Sequence, residues 1–162
     1  MEKMSDARLS LVDDERTAQL EELYRAEYSG LVRLAYTLIS NGAEAEEVVQ
    51  DSFVEVHRRF SEIRRPKPYL RSAVVSRCRS VLRRRRVMSL HPPEHPTDLS
   101  VEAGDLWDVL ARLSEDQRIA VVLRYYYGYH ASEISTIVDL PAATVRSHLR
   151  RGLARLKKEL SS

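Results

Sequence analysis

The sequence predicts an all-α protein of two small helical domains joined by a flexible linker. Three observations carry that prediction. Apolar residues recur at three- and four-residue spacing along most of the chain. The charge changes sign in blocks, and a proline-rich stretch, VMSLHPPEHPTDLSVEA at 87–103, interrupts the helical period and reads as an extended tether. With 162 residues, 43% of them hydrophobic, the chain has room for one ordinary domain or two small ones around a buried core.

Residues 14–39 place Leu20, Leu23, Tyr24, Leu31, Leu34, Ala35 and Leu38 along one side of an amphipathic helix. Asn41-Gly42 breaks the pattern, and AEAEEVVQDSFVEVHRRF restarts it with Val49, Phe53, Val56 and Phe60 on one face. Glu44, Glu46 and Glu47 crowd its first turns, where the helix dipole favours negative charge. RRPKP separates this from a third helix over roughly 68–86, striped by Leu70, Val74, Cys78, Val81 and Leu82. These helices make a first domain at 14–86, the tether covers 87–104, and a second domain takes 105–160.

That second domain opens with LWDVLARL, and Ser114 is placed to cap EDQRIAVVLRYYY, with Gly128 as its stop. ASEISTIVDL, a tight turn at Asp139-Leu140 and PAATVRSHLRRGLARLKKEL, with Pro141 just inside the helix start, have the outline of a helix-turn-helix. In the last helix Val145, Leu149, Leu153, Leu156 and Leu160 are expected to point inward. Arg146, Ser147, Arg150 and Arg151 stay outside near its amino-terminal half, the part that meets base edges in a major groove.

The formal net charge of +2 conceals a strong pattern. Residues 1–62 carry 7 basic and 14 acidic side chains, 63–90 carry 10 and 0, 91–116 carry 1 and 7, and 117–162 carry 8 and 3. Basic stretches suit a polyanion and acidic ones a basic protein surface, so two kinds of partner are expected. No apolar run approaches the ~20 residues of a membrane helix, and MEKMSDARLSL lacks a secretory layout, so a cytoplasmic protein is expected. Cys78 is the one cysteine, which excludes an internal disulfide. There is no glycine-rich phosphate loop and no nucleophile-base-acid set, so neither enzyme chemistry nor a cofactor is expected.

Three pieces, AEEVVQDSFVEVHRRF, YLRSAVVSRCRSVLRRRR and LSEDQRIAVVLRYYYGYHASEISTIVDLPAATVRSHLRRGLARL, together resemble bacterial RNA polymerase sigma factors of the extracytoplasmic-function (ECF, group IV) type. The resemblance runs from about Leu20 to Leu160. Helix-turn-helix outlines are shared by many regulators, but the three pieces in this order, with a short linker, are specific. The resemblance implies sigma domain two at 14–86, sigma domain four at 105–160, and an alternative sigma factor that binds core polymerase, recognises a two-part promoter and helps melt it.

The same resemblance assigns residues. It implies that Glu47, Gln50 and Asp51 dock on the clamp of the polymerase's largest subunit, and that the flap of the second-largest subunit is also a partner. It puts Phe60, Tyr69, Ser76, Arg77, Arg79, Arg83 and Arg84 at the minus-ten element, where capture of a flipped base calls for positive charge beside stacking surface. Arg146, Ser147, Arg150 and Arg151 would read the minus-thirty-five duplex, with Arg124 near its phosphates. An anti-sigma factor is a further implied partner. Tyr69 stands where the family usually has tryptophan, Ser76 where it often has asparagine and His57 where an aromatic is frequent, while Ala143 and His148 replace a common glycine and arginine. These departures bear on promoter preference and strand opening, not on the domain plan.

Competing readings are blander. Arg83 to Arg86 could be a solvated helix end, since cations favour a helix carboxy terminus. YYYGY at 125–129 could be a stacking patch, although its place beside Val121 and Val122 argues that at least two of these tyrosines pack in the core. His91 and His95 could bind metal with Cys78 only if the tether folds back, and no metal site is expected. The alternative function is a helix-turn-helix regulator that binds duplex DNA as a dimer without polymerase, for which no coiled-coil seam is visible. A third is an adaptor whose basic segments bind RNA or acidic proteins.

Overall fold

Helices α1 (Glu2–Ile39), α2 (Gly42–Arg59) and α3 (Pro66–Met88) are followed by α4 (Val101–Ala111), α5 (Glu115–Val121), α6 (Ala131–Val138) and α7 (Ala142–Leu160). A computed structural model supplies these elements; it describes residues 2–88 and 101–161, and every regular element among them is helical, as the sequence predicts. Helix α1 begins well before residue 14, and Leu11 and Val12 in its early turns are exposed. With no core to face, that segment carries no apolar stripe to mark it in the sequence.

Helices α1, α2 and α3 bury one another's stripes. Leu31, Leu34, Ala35 and Leu38 meet Val49, Phe53 and Val56 of α2 and Leu70, Val74 and Cys78 of α3 in one cluster. Full burial of such a side chain stabilises by about 1.5–3 kcal/mol, so these helices hold together by packing rather than by propensity. The α1–α2 corner is built by left-handed Ser40 (φ 52°) and by Asn41, whose Oδ1 accepts from the Glu44 amide at 3.0 Å. Helix α3 starts at Pro66, two residues earlier than predicted; Pro66 and Pro68 both lie in the first turn, where a missing N–H costs nothing.

In the carboxy-terminal half, Ser114 and Gln117 form a reciprocal capping box at the start of α5. Helix α5 continues into a π turn at Val122–Tyr126, closed by the Tyr127 amide donating to the Val122 carbonyl at 3.3 Å. Gly128, at φ +75°, then reverses the chain. Tyr125 and Tyr126 are exposed, whereas Tyr127 and Tyr129 pack against the core, as expected of at least two tyrosines in this motif. Asp139, left-handed at φ 53°, ends α6, and the Ser135 hydroxyl donates to the Leu140 carbonyl at 2.5 Å to close the turn into α7. Pro141 caps α7 from just outside it.

The inward face of α7 differs from the expected one. Val145 and Gly152 are buried and Leu149 and Leu156 half-buried, but Leu153 is 39% and Leu160 63% exposed. Gly152 accounts for this, because a Cβ there would sit 2.8 Å from the Val121 side chain, so α5 approaches α7 at a residue with nothing apolar to announce it.

The two halves also pack on each other. Their buried residues form one cluster, and α3 lies against α1 and α2 on one side and α5 and α6 on the other. Of the stretch read as a tether, Val87 and Met88 continue α3, residues 101–104 belong to α4, and residues 89–100 lie outside the described residues.

Two glycine substitutions test this packing in opposite directions. Gly152→Val should destabilise the fold by about 2 kcal/mol in urea denaturation, because overpacking a tight helix contact typically costs ~1–3 kcal/mol. Gly30→Ala, in the exposed interior of α1 with nothing within 4 Å of an added Cβ, should stabilise by roughly 0.5–1 kcal/mol.

Candidate nucleic-acid and polymerase interfaces

Burial of Val48, Val49, Phe53 and Val56 turns Glu46, Glu47, Gln50 and Asp51 of α2 to the surface. Glu47 and Asp51 lie one turn apart, and the Gln50 amide reaches the Tyr28 hydroxyl at 3.5 Å. Tyr28 stacks on the exposed Tyr24 with ring centres 4.6 Å apart. Glu44, by contrast, turns inward and accepts from Arg85. A groove of about 330 Å³ separates α2 from α3, with Glu44, Glu47 and Asp51 on one wall and Arg77 and Arg84 on the other. Candidate polymerase-facing acid and candidate DNA-facing base therefore share one groove.

The structure sorts the arginines of α3 by position on the helix. Arg83 and Arg84 are exposed. Arg85 is buried to 18% side-chain exposure, where it donates to the Ile39 carbonyl at the end of α1 and pairs with Glu44. Arg86 pairs with Glu115 of α5 at 3.2 Å, and Arg79 with Asp116 at 2.6 Å. The tetra-arginine run is thus neither a uniform solvated end nor a uniform polyanion surface.

Tyr69 and Arg77 converge on a carboxylate that sequence reasoning did not single out. The Tyr69 hydroxyl donates to Glu55 at 2.5 Å, Arg77 donates to the other Glu55 oxygen at 2.8 Å, and Arg59 donates to the Tyr69 oxygen at 2.9 Å. The Tyr69 hydrogen bond, reinforced by Arg77, holds the Glu55 carboxyl below its ordinary range. Ser76 stands exposed two turns beyond Tyr69, and Phe60 is half-buried in the turn after α2. Tyr69, Ser76, Arg77 and Arg79 line one side of a cleft of about 480 Å³ whose other side is Thr136, Ile137 and Val138 of α6 with its cap residue Asp139.

Arg146, Arg150 and Arg151 are exposed along the first half of α7, and Ser147 beside them is half-buried. Arg124 is more constrained, because its Nη1 donates to the Tyr129 carbonyl at 3.3 Å and so braces the turn into α6. His148 faces inward, with Nε2 3.9 Å from Asp116.

Arg118 was also missed. Its Nε and Nη2 donate to Leu110 and Ala111 carbonyls at the end of α4, both at 2.9 Å, and its Nη1 donates to the Leu38 carbonyl at the end of α1 at 3.1 Å. Burial draws its pKa down to about 10, so it remains a cation at neutral pH, matched to the negative ends of two helices. A signal was present: Arg118 and Glu115 share the helical face of Ile119 and Val122, where charge is out of place unless paired. Arg71 over the Tyr129 ring at 5.1 Å and Tyr36 edge-on to Trp107 at 6.2 Å complete the contact between the halves.

Cys78 is fully buried, and burial pushes its thiol up to about 12, which disfavours the thiolate a metal needs. His91 and His95 lie outside the described residues, and among those described no His, Cys, Asp and Glu cluster could hold a metal ion. Nor, among them, is any helix long and apolar enough to cross a membrane.

The chain matches two family models in succession, Sigma-70 region 2 over residues 23–87 and Sigma-70 region 4 over residues 103–156. It is 31% identical over 155 residues to an RNA polymerase sigma-E factor of Streptomyces avermitilis, covering 89% of this chain and 86% of that one. Against the ECF RNA polymerase sigma factor SigW of Bacillus subtilis it is 24% identical over 187 residues, covering 99% and 98%. The fold is shared with Bartonella quintana RpoE, solved with the anti-sigma factor NepR (TM-score 0.68, 24% identity, 90% of this chain and 96% of that one). It is shared too with CnrH, solved with the cytosolic domain of CnrY (TM-score 0.69, 19% identity, 90% and 89%). The acidic α2, the basic α3 and the helix-turn-helix of α6 and α7 thus fall within matched regions, and the chain belongs to the ECF group of RNA polymerase sigma factors.

Proposed function

We infer that this chain is an alternative sigma factor that binds core RNA polymerase, directs it to a two-part promoter and takes part in melting it. The observation that carries the residue-level reading is the segregation of charge on three helices: acid on the open face of α2, base on α3 and base on the open face of α7. Glu47, Gln50 and Asp51 form an exposed acidic face suited to the basic clamp of the largest subunit, and the region 4 half meets the flap of the second-largest. Steering by such a face is electrostatic, so its contribution falls with salt. The protein works where polymerase works, in the cytoplasm, and contributes no catalytic group of its own.

At the minus-ten element, Arg77, Arg79, Arg83 and Arg84 supply backbone charge, while Tyr69 and Phe60 supply stacking surface. Glu55 and Arg59 act behind them by holding the Tyr69 ring and the Arg77 guanidinium in place. Ser76 is an exposed hydroxyl that lines the same cleft as Tyr69, Arg77 and Arg79, and it offers a shorter reach than the asparagine common in the family. At the minus-thirty-five element, Arg146, Ser147, Arg150 and Arg151 enter the major groove, with Arg124, which braces the turn into α6, near the phosphates. An anti-sigma factor belongs among the proposed partners, because a sigma factor that shares this fold, Bartonella quintana RpoE, was solved bound to the anti-sigma factor NepR.

Run-off transcription with purified core polymerase tests the function. The chain should support initiation on a cognate promoter, whereas specific duplex binding with no initiation on any promoter would favour a polymerase-independent regulator. Arg150→Ala should weaken binding to a matching upstream duplex by about 1–3 kcal/mol, on the order of 5- to 150-fold, with little effect on unrelated duplexes. An equal loss on both would make Arg150 a phosphate contact, and the log-log salt slope would then fall by roughly 0.9.

A further inference from the structure

We propose that Glu55 sets the base preference of the strand site, accepting from the exocyclic amine of one captured adenine or cytosine while Tyr69 stacks on its ring and Arg77 donates to the ring nitrogen beside the amine. The inference rests on the assignment of this cleft to the minus-ten strand made above.

Glu55 is the meeting point of the groups that line the cleft. Its Oε1 accepts from the Tyr69 hydroxyl at 2.5 Å and its Oε2 from Nη2 of Arg77 at 2.8 Å. An ionised carboxylate offers about four lone-pair sites, so these two bonds leave room for more. The side chain is still 32% exposed and lines the cleft, so a molecule entering the cleft can reach those sites. Arg77 gives one Nη to Glu55, and its Nε is buried with no hydrogen-bond partner, which leaves donor capacity unused beside the acceptor.

Tyr69 is held as a platform. Its hydroxyl is fixed from two sides, by Glu55 and by Arg59 at 2.9 Å, and the Arg59 guanidinium lies 5.7 Å from the ring centre. A ring already ordered by its neighbours loses little entropy when a base stacks on it.

A single base fits the cleft better than a stretch of backbone. Its volume of about 480 Å³ is that of a pocket for one small molecule, ~300–1,000 Å³. Glu55 and Asp139 put a carboxylate on each wall, and Arg79 is paired with Asp116 at 2.6 Å, so a neutral base is favoured there over a phosphate.

The carboxylate makes the site selective. The Tyr69 hydrogen bond, reinforced by Arg77, keeps the carboxyl ionised at neutral pH, and an ionised carboxylate only accepts. Adenine and cytosine present an amine next to a bare ring nitrogen, a donor beside an acceptor, which complements Glu55 beside Arg77. Guanine and thymine carry a carbonyl in place of that amine, and an oxygen facing the carboxylate leaves both acceptors without a proton.

The test uses holoenzyme assembled from the full chain and core polymerase, with fluorescein-labelled single-stranded oligodeoxynucleotides spanning the minus-ten element of a promoter it transcribes. Each position carries the four bases in turn, and binding is followed by anisotropy. One position should favour adenine or cytosine over guanine and thymine by at least about tenfold. Replacing the favoured base there by its analogue lacking only the amine, purine for adenine or pyrimidinone for cytosine, should remove most of that preference. Glu55→Gln, whose amide both accepts and donates, should bind the four bases nearly alike at that position. Tyr69→Phe keeps the carboxylate and loses only the hydroxyl, so it should weaken all four together and keep their ranking.

Equal binding of the amine-free analogue by the unmodified chain, a preference that survives in Glu55→Gln, or one lost equally in Tyr69→Phe would each overturn the proposal. A holoenzyme that initiates transcription yet binds none of these oligonucleotides would overturn the assignment of the strand to this cleft and the proposal with it. Absence of initiation on any promoter would instead strike the sigma function, and the base preference would fall with it.

Discussion

The carboxy-terminal end of α1 is the point on which the rest of this structure depends. Helix ends leave carbonyls without intrahelical donors, and this end is buried: Leu38 and Ile39 are fully enclosed and Ser40 nearly so. Water is excluded, so the donors come from side chains. Arg85 of α3 serves the Ile39 carbonyl and Arg118 of α5 serves that of Leu38. One helix terminus thereby joins the region 2 bundle to the region 4 half, and Arg118 ties in the end of α4 as well. A cation at such a site also answers the negative end of the helix dipole, which is why arginine, charged and with several donors, fits both positions.

The same geometry changes how the charge blocks are understood. As blocks, acid at the amino-terminal half and before α5 reads as polymerase-facing, and base over 63–90 as DNA-facing. In three dimensions the blocks divide. Glu46, Glu47 and Asp51 remain open, while Glu44, Glu55, Glu115 and Asp116 are turned onto arginines of the same chain. Arg83 remains open and Arg84, though exposed, lies 3.9 Å from Glu44, while Arg79, Arg85 and Arg86 are engaged.

Much of the fold was legible because apolar periodicity reports the faces that helices bury against near neighbours. The stripes of α1, α2 and α3 are of this kind, and the cap at Ser114 was legible from its own side chain. What was not legible depends on contacts between distant segments. Helix α3 has a second covered face, with Val75 only 1% exposed and Arg79 beside it, but Ser72, Arg79 and Arg86 make that face look polar. Gly152 hides the inward line of α7, and Arg118 buries a charge that looks like surface. Among candidate site residues, motif order located the helices. Whether an arginine on them is open or already paired depends on which carboxylate the tertiary fold brings within reach.

This picture makes α3 the element on which both halves rest, with Arg79, Arg85 and Arg86 engaged inside the chain. The most direct measurement is the distance between spin labels at Ser80→Cys on α3 and Ser132→Cys on α6, both exposed positions, with buried Cys78 left unlabelled. The account predicts a single narrow, short distance in the free chain. A broad or long distribution would contradict it.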